Sequence, residues 1–397
     1  MHRMSWGTLA TAVLVGACGG GQAPESDTVQ AVRGVTDTEI VLGTHTDLSG
    51  SIAILGVDGA NGTRMRFEEA NEAGGVHGRK IRFIVEDSQY QVPKAIQAAN
   101  KLINRDKIFA MVMAIGTPTN NAVLTQQLEA GVPNLFPITG ARSMIEPFHK
   151  LKFHARGVYY DEIRAATKYF IEKKGATTPC VVYQDSDYGQ EIYYGALDQA
   201  TDMGIELAAY SAHKPTENEF TAAILRLRNA GCDLVLMGTV VRDTILILET
   251  ARKMGWEGAA WVGNNAAYNQ AVADQESGAG EGYYAFVHMA MIYRDNPRSE
   301  EVAAWWDKFV EKYGRNPEYI AFEAYRNADL VIKGLENAGR DLTVDSLIAG
   351  LEAIHDYEDI FGYRLSFGPD DHKGVSESTL SQIKDGRWHT LAESISY

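Results

Sequence analysis

Phe109–Ile115 reads FAMVMAI, and Gly116–Thr119 behind it reads GTPT. An unbroken apolar run of strand length marks a parallel strand covered on both faces. Pro118 then opens a helix directly after it. Before this run, Pro93 opens a helix whose apolar face is Ile96, Ala99, Leu102 and Ile103, and Ile81–Val85 is a β-branched, alternating strand. Earlier still, Ala60, Arg64, Phe67 and Ala70 recur at helical spacing until Gly74-Gly75 stops the helix, and Glu39–Gly43 is a further short strand. After it, Pro133–Ile138 is the next strand.

The alternation then repeats. Strands are expected at Cys180–Tyr183, Ile205–Tyr210, Asp233–Met237 and Ala260–Val262, with helices near 188–203, 218–230 and 243–254. From Ser299 the pattern changes to three consecutive helices, 299–313, 317–337 and 343–354, and the chain ends in short strands around the hairpin signal Asp385-Gly386. Strands alternating with helices of this length imply right-handed crossovers. The expected fold is α/β: two lobes, each a doubly wound, mostly parallel sheet flanked by helices.

The 397 residues correspond to roughly two to three domains at ~150 residues each. With 37 Lys+Arg against 52 Asp+Glu, the net charge is −15, and no basic stripe suited to nucleic acid is present. No stretch reaches the ~20 consecutive apolar residues of a membrane-spanning helix.

The first residues stand apart from the fold. His2-Arg3, the uncharged stretch Trp6–Ala17 and the small residues before Cys18 follow the order of a secretory signal, and Val15-Gly16-Ala17-Cys18 resembles a bacterial lipobox. Residues 1–17 are therefore expected to be a lipoprotein signal peptide, and Cys18 the lipidated residue. Residues 18–34, which include the polar GGGQAPESDTVQ, form a tether.

Enzyme signatures are missing: there is no GxxxxGK[ST], HExxH, CxxC or GxSxG. Gly278–Gly282 lies between a helix and a strand, the wrong order for a dinucleotide loop, and reads as a turn. The ten His show no metal-ligand spacing, Asp370–Gly374 reads as a solvated turn, and Trp305-Trp306 as packing on an amphipathic helix. No catalytic residue, metal or cofactor is expected. Cys180 and Cys232 begin strands that would be neighbours in a doubly wound sheet, so a disulfide and two free buried thiols are both open.

In open parallel sheets ligands bind at the carboxyl ends of the strands. Gly116-Thr117 and Thr139-Gly140 lie there as short polar segments with free backbone N–H groups, a seat for a carboxylate or carbonyl. Helix capping by Thr117 and a turn at Gly140 explain the same residues structurally.

Thr36–Gly43, Leu48-Ser49-Gly50 and Ala73–Ile81 resemble the opening of the leucine/isoleucine/valine-binding proteins, the periplasmic solute receptors of ABC importers. The similarity continues through Lys94–Leu102, Gly116–Asn120, Asp185–Gly189 and Phe361–Gly374. It implies the type I periplasmic-binding-protein fold, with three hinge crossings joining a lobe of 35–155 plus 290–375 to one of 156–289 plus 376–397. It also implies a monomer that closes on a small-molecule ligand and hands it to a membrane permease.

Carried over residue by residue, the family's carboxylate-gripping serine falls on Gly116, beside Thr117. Its later threonine falls on Gly140, between Thr139 and Ala141. The acid that neutralises an α-ammonium falls on Asn265. Tyr188 keeps one aromatic wall, while Val240 and Leu55 replace two others, with Tyr159 nearby. An uncharged Asn cannot offset a buried ammonium. The expected ligand is therefore a small, largely apolar organic solute, such as an aromatic or other carboxylate or an amide. A true branched-chain amino-acid receptor and a sensor for a signalling partner are the alternatives.

Overall fold

The computed structural model describes residues 32–397; the signal-peptide and lipobox readings and most of the tether lie outside the described residues. The chain opens with β1 (Glu39–Thr46), α1 (Ala53–Glu72), β2 (Lys80–Asp87), α2 (Val92–Asn100), β3 (Ala110–Val112), α3 (Thr117–Glu129), β4 (Asn134–Leu135) and β5 (Lys152–Phe153). These strands form one parallel sheet in the order β2-β1-β3-β4-β5.

A second round follows: α4 (Tyr159–Lys174), β6 (Pro179–Gln184), α5 (Asp187–Asp202), β7 (Ala209–His213), α6 (Thr221–Asn229), β8 (Leu234–Gly238), α7 (Val241–Lys253), β9 (Ala260–Asn264), α8 (Gln270–Ala273) and β10 (Tyr284–Val287). The chain then adds α9 (Glu300–Tyr313), α10 (Tyr319–Ala338), α11 (Val344–Glu352) and the short pair β11 (Tyr357–Glu358) and β12 (Arg364–Leu365). Finally β13 (Ser378–Lys384) and β14 (Arg387–Ile395) return to the second sheet, whose order is β14-β13-β10-β9-β8-β6-β7. Only β13 and β14 run antiparallel to their neighbours there. This is a two-domain α/β fold with parallel cores.

Local physics explains where the elements depart from the periodicity. FAMVMAI is fully buried, yet only Ala110–Val112 is ladder, because Met113 takes φ 48° and turns the chain. Phe136, at φ 53°, ends β4 in the same way, leaving a single bridge from Ile115 to Ile138. The strand expected at Ile205–Tyr210 begins instead at Ala209, since β6 starts at Pro179 and earlier residues have no partner. Ile96 is solvent-facing. The helix buries Ala95, Ala98 and Ala99, and a widened turn at Lys101–Arg105 then swings Leu102 and Ile103 inward.

Trp305 and Trp306 are buried, Trp305 with ring centroids 5.1 Å from Phe322 and 5.3 Å from Phe361. Neighbouring β6 and β8 place Cys180 and Cys232 with Cα atoms 5.9 Å apart, joined as a disulfide.

Candidate ligand cleft

Two aspartates organise the rim. Asp47, at the end of β1, accepts from the backbone N–H of Ser49 (3.1 Å) and of Ile52 (2.8 Å), which fixes the loop into α1 and so places Ile52 and Leu55. Asp87, at the end of β2, accepts from the Leu48 N–H (2.9 Å), the Ser49 hydroxyl (2.6 Å) and the Gln89 N–H (2.9 Å). Burial opposes its charge, but these donors outweigh it and hold the carboxyl below its ordinary range.

The resulting cleft has about 330 Å3 of unfilled space, its mouth included. Only about 20 Å3 of that is room for a molecule, so the walls stand nearly closed on one another. Ile52, Leu55, Ile115, Ile138, Val240 and Ala266 give it apolar walls, and Tyr90, Tyr159 and Tyr188 give it aromatic ones. Gly116, Thr117 and Arg156 complete the lining, which contains no carboxylate. Tyr159 opens α4 and Tyr188 lies in the first turn of α5; their rings meet edge to face at 5.0 Å. The Tyr188 hydroxyl is 3.1 Å from the Thr239 carbonyl and 3.2 Å from Asn264 Oδ1, which locks the ring in place.

Of the sequence-derived candidates, Leu55, Gly116, Thr117, Tyr159, Tyr188 and Val240 line this cleft together. Thr139, Gly140, Ala141 and Asn265 do not. The Thr139 hydroxyl sits 2.6 Å from that of Thr117, and its carbonyl accepts from His154 Nε2 at 2.8 Å, so Thr139 supports the cleft residue from behind. The Gly140 carbonyl accepts from the Tyr159 N–H at 2.8 Å. A Cβ at Gly140 would lie 2.3 Å from the Gly157 carbonyl oxygen, so the family's threonine has no room there. Ala141 is fully buried.

Asn265 lies in a buried cluster and not among the lining residues. Its Oδ1 accepts from Arg156 Nε (2.8 Å), while its Nδ2 donates to Glu162 Oε2 (2.7 Å) and to the Gly157 carbonyl (3.1 Å). Both ends of the amide are engaged within that cluster.

That cluster is charged. Arg156 is ion-paired with Glu323 on α10, and both side chains are almost wholly excluded from solvent. Burial disfavours both charges, but each partner outweighs it: Arg156 stays protonated and Glu323 is held well below the carboxylate range. Glu162, on α4, is pushed by burial up to about 8 against the opposing Asn265 hydrogen bonds, so it is largely protonated at neutral pH. Burial lowers His154 and His288 to about 4, leaving both neutral. Arg156 therefore brings a positive charge to the cleft wall. Its engaged partners leave N–H capacity on both terminal nitrogens.

Tyr90 and Arg156 are the cleft residues that motif reading missed. Tyr90 sits in an irregular turn, and the role of Arg156 depends on partners more than 100 residues away.

A two-domain α/β fold with an apolar cleft at the carboxyl ends of its strands is the architecture of a solute receptor. Residues 39–387 match the periplasmic binding protein family, and the chain belongs to it. That family is a class of extracytoplasmic solute-binding transport proteins rather than of enzymes; among the described residues no helix is long and apolar enough to cross a membrane.

The chain is 25% identical over 292 residues to the leucine-, isoleucine-, valine-, threonine-, and alanine-binding protein of Pseudomonas aeruginosa, covering 74% of this chain and 76% of that one. It is 24% identical to a Leu/Ile/Val-binding protein homolog of Brucella abortus, over 91% of this chain and 94% of that one. A fatty acid ABC transporter substrate-binding protein from Thermomonospora curvata superposes with a TM-score of 0.82 at 22% identity, covering 94% of this chain and 96% of that one. A solute-binding protein from R. palustris in complex with benzoate superposes at 0.79 with 20% identity, covering 90% and 97%. At these identities the structural likeness concerns the fold.

Proposed function

We propose that this receptor captures one small, largely apolar organic solute without an α-ammonium and delivers it to an ABC permease. The observation that carries the reading is the composition of the cleft lining: apolar and tyrosine walls, the Thr117 hydroxyl, the Arg156 guanidinium and no carboxylate. A zwitterionic amino acid would place its ammonium there without a counter-charge, a loss of a few kcal/mol, and each ~1.4 kcal/mol is tenfold in affinity. Two buried acids beside Arg156 and Asn265 are engaged, Glu323 by Arg156 and Glu162 by protonation and Asn265.

Calorimetry of the purified protein against leucine, isoleucine, valine, benzoate, benzamide and octanoate tests this. An acid or amide should bind at least a hundredfold more tightly than leucine. Tight leucine binding overturns the reading and restores the amino-acid receptor.

The same proposal includes an anchor. The lipobox-like Val15-Gly16-Ala17-Cys18 supports lipidation at Cys18. Cys18→Ala should move the protein from the membrane fraction to the soluble exported one, and unchanged membrane association would refute the anchor.

A further inference from the structure

Tyr90 stands at the cleft on an unusual backbone. It follows Gln89 in the turn between β2 and α2, and both residues adopt positive φ, 50° and 52°. Side chains disfavour that conformation, and two consecutive examples persist only where the surroundings over-determine them. The surroundings here are explicit. The Gln89 N–H is tied to Asp87 at 2.9 Å, Ser88 donates to the Thr46 carbonyl from both its N–H (2.7 Å) and its hydroxyl (2.9 Å), and the Gln91 N–H closes onto the Ser88 carbonyl at 2.9 Å.

The opposite side of the ring is equally specified. Gly116 has φ 92°, and a Cβ there would lie 2.5 Å from Tyr90 Cε2 and 2.7 Å from Thr119 Oγ1. The position where the resemblance puts a carboxylate-gripping serine is thus a glycine because the Tyr90 ring occupies the space a side chain would need. The phenol makes no hydrogen bond within the described residues, whereas Tyr188, across the cleft, is fully engaged. A half-buried ring held by a strained turn, with its hydroxyl uncommitted and its body against the cleft, has the form of a ligand-reading group.

We infer that Tyr90 determines the specificity of the cleft, completing a three-sided tyrosine enclosure with Tyr159 and Tyr188 that selects a flat aromatic or conjugated carboxylic acid and donates its free hydroxyl to that ligand. This rests on the solute-receptor reading above and narrows it. Three rings around a small space favour a planar body over a flexible chain, because π-faces and edges pack on a flat ligand at little entropic cost. Thr117 and Arg156 offer hydrogen-bond donors to an anionic end, and the absence of a lining carboxylate removes the repulsion that end would meet. Tyr90 then acts where the family's serine would, with a donor delivered from a different loop.

The test is calorimetry of the purified full chain with benzoate, benzamide and octanoate as probes, comparing the unmodified protein with Tyr90→Phe and Tyr90→Ala. Benzoate should bind the unmodified protein more tightly than octanoate or benzamide. Tyr90→Phe should weaken benzoate several-fold by loss of the hydroxyl. Tyr90→Ala should weaken it at least tenfold while octanoate, given more room, changes less. Benzoate affinity within twofold of the unmodified protein in both variants overturns the inference, as does octanoate or benzamide outranking benzoate. Either of those results leaves intact the reading of a solute without an α-ammonium, whereas leucine outranking all three probes on the unmodified protein defeats that reading too. Tyr90→Phe keeps the ring and the turn, so it remains informative if Tyr90→Ala fails to fold.

Discussion

The cleft wall and the charged cluster directly behind it are neighbours built on opposite principles. The wall is apolar and aromatic, with hydroxyl groups and one guanidinium at its polar end. The cluster gathers Arg156, Glu323, Glu162, Asn265 and His288 with almost no solvent access. A ligand-facing surface gains by leaving hydrogen-bonding capacity open, whereas a buried ionic group is tolerated only when every charge has a partner. Arg156 belongs to both regions, anchored by Glu323 and Asn265 on one side and reaching the cleft on the other. Asn265, which alignment assigns to the wall, belongs to the cluster alone.

The contrast breaks most visibly at Glu323. Glu323→Ala leaves the Arg156 guanidinium buried without a counter-charge, and truncating one member of a buried pair costs about 3–5 kcal/mol. Denaturant unfolding should show a loss of that order. A loss below about 1 kcal/mol would mean that the pair is not what holds Arg156 in place.

Glu162 sharpens the comparison through pH. Its folded pKa is raised from 4.5 to about 8, so the folded chain binds this proton more tightly than the unfolded one. Its contribution to stability is complete below pH 4.5 and is lost as pH rises towards 8, with a slope of at most about 1.4 kcal/mol per pH unit. The stability of the unmodified protein relative to Glu162→Gln should therefore fall across that window, as measured by unfolding at a series of pH values. A difference independent of pH would show that Glu162 is ionised in the folded protein.

The smallest stability effect belongs to the wall. Tyr90→Phe removes a hydroxyl that has no partner in the described residues, so its unfolding free energy should stay within about 0.5 kcal/mol of the unmodified protein while binding responds. A large loss of stability would place Tyr90 with the structural cluster instead.

Much of this was legible in local sequence. The strand–helix alternation, the three late helices and the cleft residues Leu55, Gly116, Thr117, Tyr159, Tyr188 and Val240 follow from periodicity, turn residues and a family resemblance. What failed to carry was register to a single residue. Thr139 and Gly140 lie in the loop that alignment indicates, but the structure turns them behind Thr117 and Tyr159. Met113 and Phe136 shorten their strands through positive φ, which no apolar pattern signals.

The sequence by itself determined the α/β class, the repeated sheet and the likeness to solute receptors, because these depend on hydrophobic periods and turn chemistry that act over a few residues. Only the tertiary structure decided which side chains line the cleft and which join the charged cluster. Arg156 meets Glu323 across 167 positions and Asn265 across 109, and Tyr90 meets Gly116 from another loop. Such pairings are set by how loops and helices distant in the chain come together. The desolvation of a charge, and hence whether Glu162 carries one, exists only once that packing has excluded water.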